Sequence, residues 1–291
     1  MVSSDGGSAS IDSQRCYICF DDVVFRYGNA KENALNGITV NIRRGEFTVV
    51  IGPNGSGKST FARHIKGLLR PLEGRVAVEG ISTTNPDQLP EIMRRVGFVF
   101  QNPDNQLVGA TVEEDIAFGP ENLGVDPPSI RDSVNRAMAE VGLLELAGRP
   151  PHNLSGGQKQ LLAIAGALAM KNKCLVLDEP TSMLGPAGKR LVMNLLLKLR
   201  AGFNITLIMV THFMEEAVFA DRILVMDKGK IVMDGTPREV FREGRLLSIA
   251  GLELPGPVEL SNRLRSYGVA LPDPVLTLDE LVTCLCRICP L

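Results

Sequence analysis

The 291 residues of this chain carry 31 basic and 33 acidic side chains, a formal net charge of −2. Charges of both signs are interspersed and form no basic patch, so no nucleic-acid partner is expected. The longest nearly apolar run, 161–170, is too short to cross a bilayer, and no apolar segment follows a basic start as in a secretory signal. These features predict a soluble, cytosolic chain with one large domain and a small appendage.

The six cysteines predict free thiols in a reducing compartment rather than a disulfide framework. Cys16 and Cys19 lie three residues apart in a strand-like run, so their side chains are expected on opposite faces, where they cannot share a metal. Cys284, Cys286 and Cys289 lie on a predicted helix without a nearby His. Neither group is predicted to bind a metal.

The first part of the chain predicts a tail and then a β layer. Residues 1–14 are rich in Ser, Gly and Asp and lack periodicity, which predicts a disordered tail. From 16 to 50, β-rich runs alternate with turn residues at 27–29 and 43–45, as in an antiparallel sheet. The apolar run 47–51 predicts a buried strand, and 60–69 predicts a helix shortly after it.

The segment between this strand and this helix fits the phosphate-binding loop of nucleotide triphosphatases. It reads Gly52-Pro53-Asn54-Gly55-Ser56-Gly57-Lys58-Ser59, followed by Thr60. The glycines let successive backbone N–H groups face phosphate oxygens, and the helix N-terminus adds a favourable dipole. Lys58 is predicted to reach the terminal phosphates and the Ser59 hydroxyl to ligate Mg²⁺.

The middle of the chain predicts a helical region inserted in an α/β core. This region covers about 102–170, and one of its helices begins at Asp126-Pro127-Pro128, a cap followed by prolines. Continuous apolar runs then predict strands covered on both faces. The predicted strands flanking and following this region are 74–79, 96–100, 174–177 and 205–210, with a hairpin at 223–226 and 230–233. Beyond 241, short helices predict a small C-terminal domain at 242–291, whose last helix opens with a capping box at 277–280.

Polar side chains follow the ends of three predicted strands. The carboxyl edge of a parallel sheet faces the nucleotide in α/β folds, so these side chains are expected in one site. Asp178 is predicted to interact with Mg²⁺, and Glu179 to polarise an attacking water as general base. His212 is placed to contact the terminal phosphate and orient the water, and Gln101 to reach Mg²⁺ or the water.

A second motif, Leu154-Ser155-Gly156-Gly157-Gln158, predicts a capped helix start. Tyr27, the 52–59 loop, Gln101, this motif, Asp178-Glu179 and His212 together resemble the ATP-binding cassette ATPases, over residues 16–241. The resemblance implies an α/β phosphate-loop NTPase core with an antiparallel β layer, a helical subdomain at about 102–170 and a small C-terminal helical domain. A cassette domain at 15–241 would use ATP and Mg²⁺, with Tyr27 stacked on adenine. Two cassettes pack head to tail in this family, and the motif at 154–158 of one, the family signature, closes over the ATP held by the other.

A narrower resemblance lies in the runs 100–106, 110–119 and 166–170. They are similar to the ATPase subunits of energy-coupling factor transporters, importers of vitamins and of cobalt or nickel ions, and 102–106 resembles the first of two paralogous ATPases. The resemblance implies three partners: a second ATPase, a transmembrane coupling protein and a substrate-binding membrane subunit. It places the chain peripherally on the cytoplasmic face of the membrane, with coupling helices received near 101–106 and the C-terminal domain aiding dimerisation.

Two positions depart from the cassette pattern. Gly185 stands before Pro186 where the family carries Asp, and Leu161 stands where it usually carries Arg. Three hypotheses follow, in this order: the ATP-hydrolysing motor of an energy-coupling factor importer, a nucleotide-binding regulatory cassette with little hydrolysis of its own, and a non-transport cassette ATPase.

Overall fold

The computed structural model of the protein describes residues 16–28 and 30–288. The predictions for residues 1–14 and for Cys289 lie outside the described residues. Within the described residues no helix combines the length and the apolarity that a membrane crossing demands.

The strands form two sheets. In chain order they are β1 Cys16–Phe25, β2 Leu35–Arg43, β3 Phe47–Ile51, β4 Glu73–Val78, β5 Ile81–Ser82, β6 Val96–Val99, β7 Cys174–Asp178, β8 Thr206–Val210, β9 Arg222–Asp227 and β10 Lys230–Gly235. An antiparallel sheet has the order β2-β1-β4-β5, and a larger sheet the order β10-β9-β3-β8-β7-β6. The larger sheet is parallel except for β10, which pairs antiparallel with β9 as the predicted hairpin. The α/β class and the antiparallel layer are thereby confirmed.

The helices are α1 Lys58–Ile65, α2 Leu89–Arg95, α3 Val112–Asn122, α4 Pro127–Val141, α5 Gly156–Ala169, α6 Pro186–Phe203, α7 Met214–Ala217, α8 Pro237–Arg242, α9 Gly244–Ile249, α10 Gly256–Ser266 and α11 Leu278–Ile288. Helices α3, α4 and α5 occupy the region predicted to be helical. The predicted start of α4 is confirmed, because Asp126 Oδ2 accepts a hydrogen bond from Ser129 N–H at 3.0 Å.

The parallel strands are buried on both faces, as their continuous apolar runs predicted. Phe47, Val49 and Ile51 of β3 belong to one hydrophobic cluster, which includes α4, α5 and α6. Val50 of the same strand belongs to a second cluster, which includes α1 and the antiparallel sheet. Alternate residues of one strand thus fill two cores, and the strand ends are held rigidly between them.

The residues beyond 241 belong to two packing groups. The 241/242 division falls inside α8, and Leu247 and Val258 belong to the hydrophobic cluster of α4–α6. A separate small cluster holds Leu271, Val275 and Leu281.

The prediction of free thiols is wrong for one pair of cysteines. The structure joins Cys16 and Cys19 in a disulfide. The register of β1 against β2 shifts between Cys16 and Ile18. Strict alternation of side chains fails at such a bulge, so two residues three apart can face each other.

Candidate functional site

Four parallel strands end at one edge of the larger sheet, and the residues that follow them meet there. A cleft of about 1210 Å³ opens at this edge. Of the residues predicted to bind or act on a nucleotide, the cleft is lined by Tyr27, Gly52, Pro53, Asn54, Gly55, Gly57, Lys58, Ser59, Thr60, Gln101, Glu179 and His212. Ser56 and Asp178 are buried close behind them.

The loop between β3 and α1 has a shape that only glycine allows at two positions. A Cβ atom at Gly52 would overlap the carbonyl oxygen of Met226, and one at Gly57 would overlap that of Ala34. Gly57 also has a φ of 101°, in the left-handed region that other residues avoid. The loop leads directly into α1, whose first N–H groups have no acceptor within the helix and, beside the cleft, suit an anion.

Lys58 supplies positive charge to this loop. Its Nζ donates hydrogen bonds to the carbonyl oxygens of Gly52 at 2.8 Å and Pro53 at 2.9 Å. Burial lowers the pKa of Lys58, and the nearby carboxylates of Glu179 and Asp178 act in the opposite direction. An ammonium group with little water around it favours an anionic ligand such as a phosphate.

Ser59 and Asp178 form a direct contact below the loop. Ser59 Oγ donates a hydrogen bond to Asp178 Oδ1 at 2.7 Å. Burial raises the pKa of the Asp178 carboxyl, while the hydrogen bond from Ser59 and the charge of Arg63 lower it. A hydroxyl and a carboxylate oxygen side by side are donors that suit Mg²⁺.

Glu179 lies at the centre of the polar contacts in the cleft. Its Oε2 accepts a hydrogen bond from Gln101 Nε2 at 2.9 Å and lies 3.2 Å from His212 Nδ1. Its backbone has a φ of 50°, an uncommon left-handed value for a side chain of this size. The backbone N–H of Glu179 donates to Val210 O at 2.9 Å, which ties it to the neighbouring strand β8. The structure therefore brings the predicted base together with His212 and Gln101.

Gln101 contacts Glu179 rather than the Ser59–Asp178 pair. Its second contact is with Ser182 Oγ, at 3.4 Å. Tyr27 presents its ring at the cleft mouth with 41% of its surface exposed. Its Oη lies 3.1 Å from Thr60 Oγ1 and its ring packs edge-on against Phe25, so the ring is held in place with an accessible side.

The segment 154–158 lies elsewhere on the molecule. Ser155 caps α5 and forms a capping box with Gln158, whose side chain accepts from the Ser155 N–H at 2.9 Å. Position 156 lies near Leu184, since a Cβ built there would lie 3.4 Å from the Leu184 side chain. None of the residues 154–158 is among the described residues that line the cleft. Leu154 is buried, whereas Ser155 and Gly156 are exposed.

Sequence reasoning missed part of the cleft wall. Phe213, Met214 and Glu215 line it after His212, and so do 251–254 from the C-terminal region. The first three could have been inferred from their place next to His212. Nothing in the sequence marks 251–254, because their approach depends on how α9 packs against the core.

Comparison with known proteins identifies the family of this chain. Residues 35–182 match the family model described as ABC transporter. The chain is 50% identical over 272 residues to the energy-coupling factor transporter ATP-binding protein EcfA1 of Clostridium perfringens, covering 92% of this chain and 97% of that protein. It is also 50% identical over 279 residues to the protein of the same name from Symbiobacterium thermophilum, covering 94% and 97%.

Solved structures agree with these relatives. The cbiO1 protein from Clostridium perfringens, part of the ABC transporter complex cbiONQ, superposes with a TM-score of 0.74 at 34% identity, covering 87% of this chain and 98% of that one. The dimeric bacterial ABC transporter cassette MJ0796 superposes with a TM-score of 0.69 at 32% identity, covering 76% and 99%.

The fold and the site define a phosphate-loop ATPase of the cassette type. The chain belongs to the ABC transporter family and, within it, to the ATP-binding proteins of energy-coupling factor transporters. This confirms the resemblance found in the sequence and its most specific implication, an ATPase of that transporter group.

Proposed function

We propose that the chain hydrolyses ATP as one half of a head-to-tail cassette pair that powers import by an energy-coupling factor transporter. The observation that carries this proposal is the division of the site. The cleft holds the phosphate loop, Glu179 and His212, whereas the signature at 154–158 lies outside it. A second cassette would supply the missing signature to this cleft and receive the signature of this chain in its own.

The nucleotide would be held by the loop 52–60 and by Tyr27. The backbone N–H groups and Lys58 would bind the phosphates, and the Tyr27 ring would stack on adenine. Ser59 and Asp178, with Gln101, would hold Mg²⁺, which shields phosphate charge when it is bound.

Glu179 would accept the proton of the attacking water, with Gln101 and His212 holding its carboxylate. The 2.9 Å and 3.2 Å contacts to Oε2 fix the direction in which this oxygen faces the cleft. Because the base is already held in place, the reaction does not pay the entropy cost of positioning it. His212 is 41% exposed at its side chain, which leaves it free to contact a phosphate as well.

The partners proposed for the chain are a second ATPase, a transmembrane coupling protein and a substrate-binding membrane subunit. The chain would lie peripherally on the cytoplasmic face of the membrane, with the region 101–106 receiving coupling helices. The names of the relatives and the match to a part of the cbiONQ complex support this assembly. The C-terminal domain predicted at 242–291 would assist pairing of the two ATPases, and exposed apolar side chains on α9 and α11, such as Ile249 and Leu278, support that role.

Replacement of the base tests the proposal directly. Glu179→Gln removes the proton acceptor and keeps a side chain of the same size, so ATP binding is expected to persist while turnover of the assembled complex falls at least a hundredfold, on the order seen for lost general bases. Isothermal titration calorimetry measures binding, and phosphate release measures turnover. Glu73→Gln, an exposed site at the start of β4, is the matched control. Undiminished turnover in Glu179→Gln would contradict the assignment.

A second candidate function is a nucleotide-gated cassette that hydrolyses slowly. Gly185 favours it, since this residue is the N-cap of α6 without a side-chain hydrogen bond and follows Leu184, which lies near position 156 of the signature. The missing carboxylate cannot position water or couple the paired sites. A salt-sensitive association with nucleic acid would instead support a non-transport cassette.

A further inference from the structure

A buried carboxylate lies behind the cleft and takes no part in the contacts described so far. Glu216 in α7 is 5% exposed. Its Oε1 accepts a hydrogen bond from Thr181 Oγ1 at 2.5 Å, and its Oε2 accepts one from Thr211 Oγ1 at 2.7 Å. Among the described residues, no Lys, Arg or His forms an ion pair with it. Two hydroxyl groups are therefore its side-chain donors.

The two threonines belong to the two loops that carry the catalytic groups. Thr181 is two residues after Glu179, and Thr211 immediately precedes His212. Each threonine is fully buried or nearly so, at 0% and 1% exposure. Thr211 Oγ1 also accepts the N–H of Phe213 at 3.0 Å, so the turn that presents His212 is built around this hydroxyl.

The loop after Glu179 is likewise built around the first threonine. Ser182 donates to Glu179 O through its Oγ at 3.0 Å, and Leu184 N–H donates to Thr181 O at 3.1 Å. The loop extends from Glu179 to Leu184, which lies near position 156 of the signature. Thr181 fixes the loop between these two ends.

A carboxylate in this position is costly for the fold. Burial removes it from water, and a well-packed apolar side chain would serve stability alone as well or better. Its particular property is that one rigid planar group accepts from two separate loops at once. The contact of 3.2 Å between Glu179 Oε2 and His212 Nδ1 requires those loops to keep a fixed spacing.

We propose that Glu216 is a positioning residue for ATP hydrolysis, which sets the spacing between Glu179 and His212 by binding Thr181 and Thr211. The inference rests on the hydrolytic role proposed for Glu179. Loss of the carboxylate lets the two loops shift independently, and displacements of the order of 1 Å at a reacting group cost up to about a hundredfold in rate.

The variants Glu216→Gln, Thr181→Val and Thr211→Val test this in the assembled complex. Each is expected to lower kcat about tenfold while the affinity for ATP stays within about twofold, because none of the three side chains lines the cleft. Adding Thr181→Val to the Glu216→Gln variant is expected to lower kcat much less than Thr181→Val lowers it in the wild type, since both changes break the same contact.

The chain contains a matched pair for control. Glu239 accepts a hydrogen bond from Thr236 Oγ1 at 2.9 Å in the first turn of α8, away from the cleft. Glu239→Gln and Thr236→Val weaken a threonine-to-glutamate hydrogen bond that is exposed and local, and they are expected to change the melting temperature but not kcat. The comparison separates loss of stability from loss of positioning, and the single-hydroxyl variants Thr181→Val and Thr211→Val keep the test valid if Glu216→Gln does not fold.

The NMR signals of the histidine rings provide a readout that would not change if Glu216 only stabilised the fold. With three histidines in the chain, ¹⁵N-histidine labelling resolves the His212 ring in the ATPase itself. Its resonances are expected to shift in Glu216→Gln, while those of His64 and His152 stay in place. Unchanged His212 resonances, unchanged kcat, or an equal loss of kcat in Glu239→Gln would each overturn the proposal. A wild-type complex without hydrolysis would instead contradict the proposed function.

Discussion

The phosphate-loop cleft and the signature segment are built in opposite ways. The cleft gathers Lys58, Gln101, Glu179 and His212 from four strand ends into one preassembled site. The signature at 154–158 is a single continuous helix start, completed by its own capping box, and its residues do not line that cleft. This difference in construction supports the proposal that the signature acts on a second cassette, whereas the cleft groups act within one chain.

The two regions are nevertheless joined through one loop. Residues 179–185 begin at the proposed base Glu179 and end near the signature, where a Cβ built at position 156 would lie 3.4 Å from the Leu184 side chain. Glu216 holds this loop at Thr181. If the proposed roles hold, this loop is the shortest route along the chain from the signature to the proposed base, and it would link cassette pairing to hydrolysis.

The largest expected effect comes from the cleft. Lys58→Ala removes the charged donor of the loop and is expected to weaken ATP binding roughly a hundredfold, since a hydrogen bond to a charged group contributes about 1.5–3 kcal/mol. Titration calorimetry on the isolated chain measures the affinity for ATP. Lys171→Ala, an exposed residue in the turn before β7, is the control. If Lys58→Ala bound ATP like the wild type, the cleft would not be the nucleotide site.

The signature is expected to behave differently from the cleft. Gly157→Asp places a negative charge where a phosphate of the partner's nucleotide would lie, and a Cβ at this position meets Gly188 Cα at 3.4 Å, an ordinary contact. The isolated chain is expected to bind ATP within about twofold of the wild type, because 154–158 does not line the cleft. Turnover of the assembled complex is expected to fall about tenfold or more through charge repulsion. Weakened binding in the isolated chain would show that the signature acts within its own molecule.

The smallest effect is expected at Gly185, between the two regions. Its φ of −68° and ψ of 170° suit any residue, and no atom lies within 4 Å of a Cβ built there. Gly185→Asp would cap α6, which adds only a few tenths of a kcal/mol relative to Gly. Steady-state hydrolysis by the complex is expected to change by less than about twofold. Gly185→Ser caps the helix without adding a charge, so it separates the effect of capping from the effect of the carboxylate. Turnover that appears only with Asp would favour the nucleotide-gated cassette.

The sequence predicted the cleft better than its surroundings. The residues assigned to the phosphate loop, Glu179, His212 and Gln101 meet in one place because carboxyl ends of parallel strands share an edge. The contact of Gln101 with Glu179 was not predicted, since a residue two positions after a strand can turn in several directions. The disulfide of Cys16 and Cys19 was missed because the alternation of side chains along a strand, from which the prediction was made, does not reveal the bulge in β1.

Local chemistry let the sequence alone determine the strand, glycine loop and helix of the nucleotide site, the buried parallel strands and the cap of α4. These features depend on backbone freedom, side-chain period and short-range hydrogen bonds, all of which lie within a few residues. Only the tertiary structure decided that 251–254 line the cleft, that 154–158 lie outside it, and that Glu216 joins the loops of Glu179 and His212. Those contacts join segments distant in sequence, and their existence depends on how helices and sheets pack against each other.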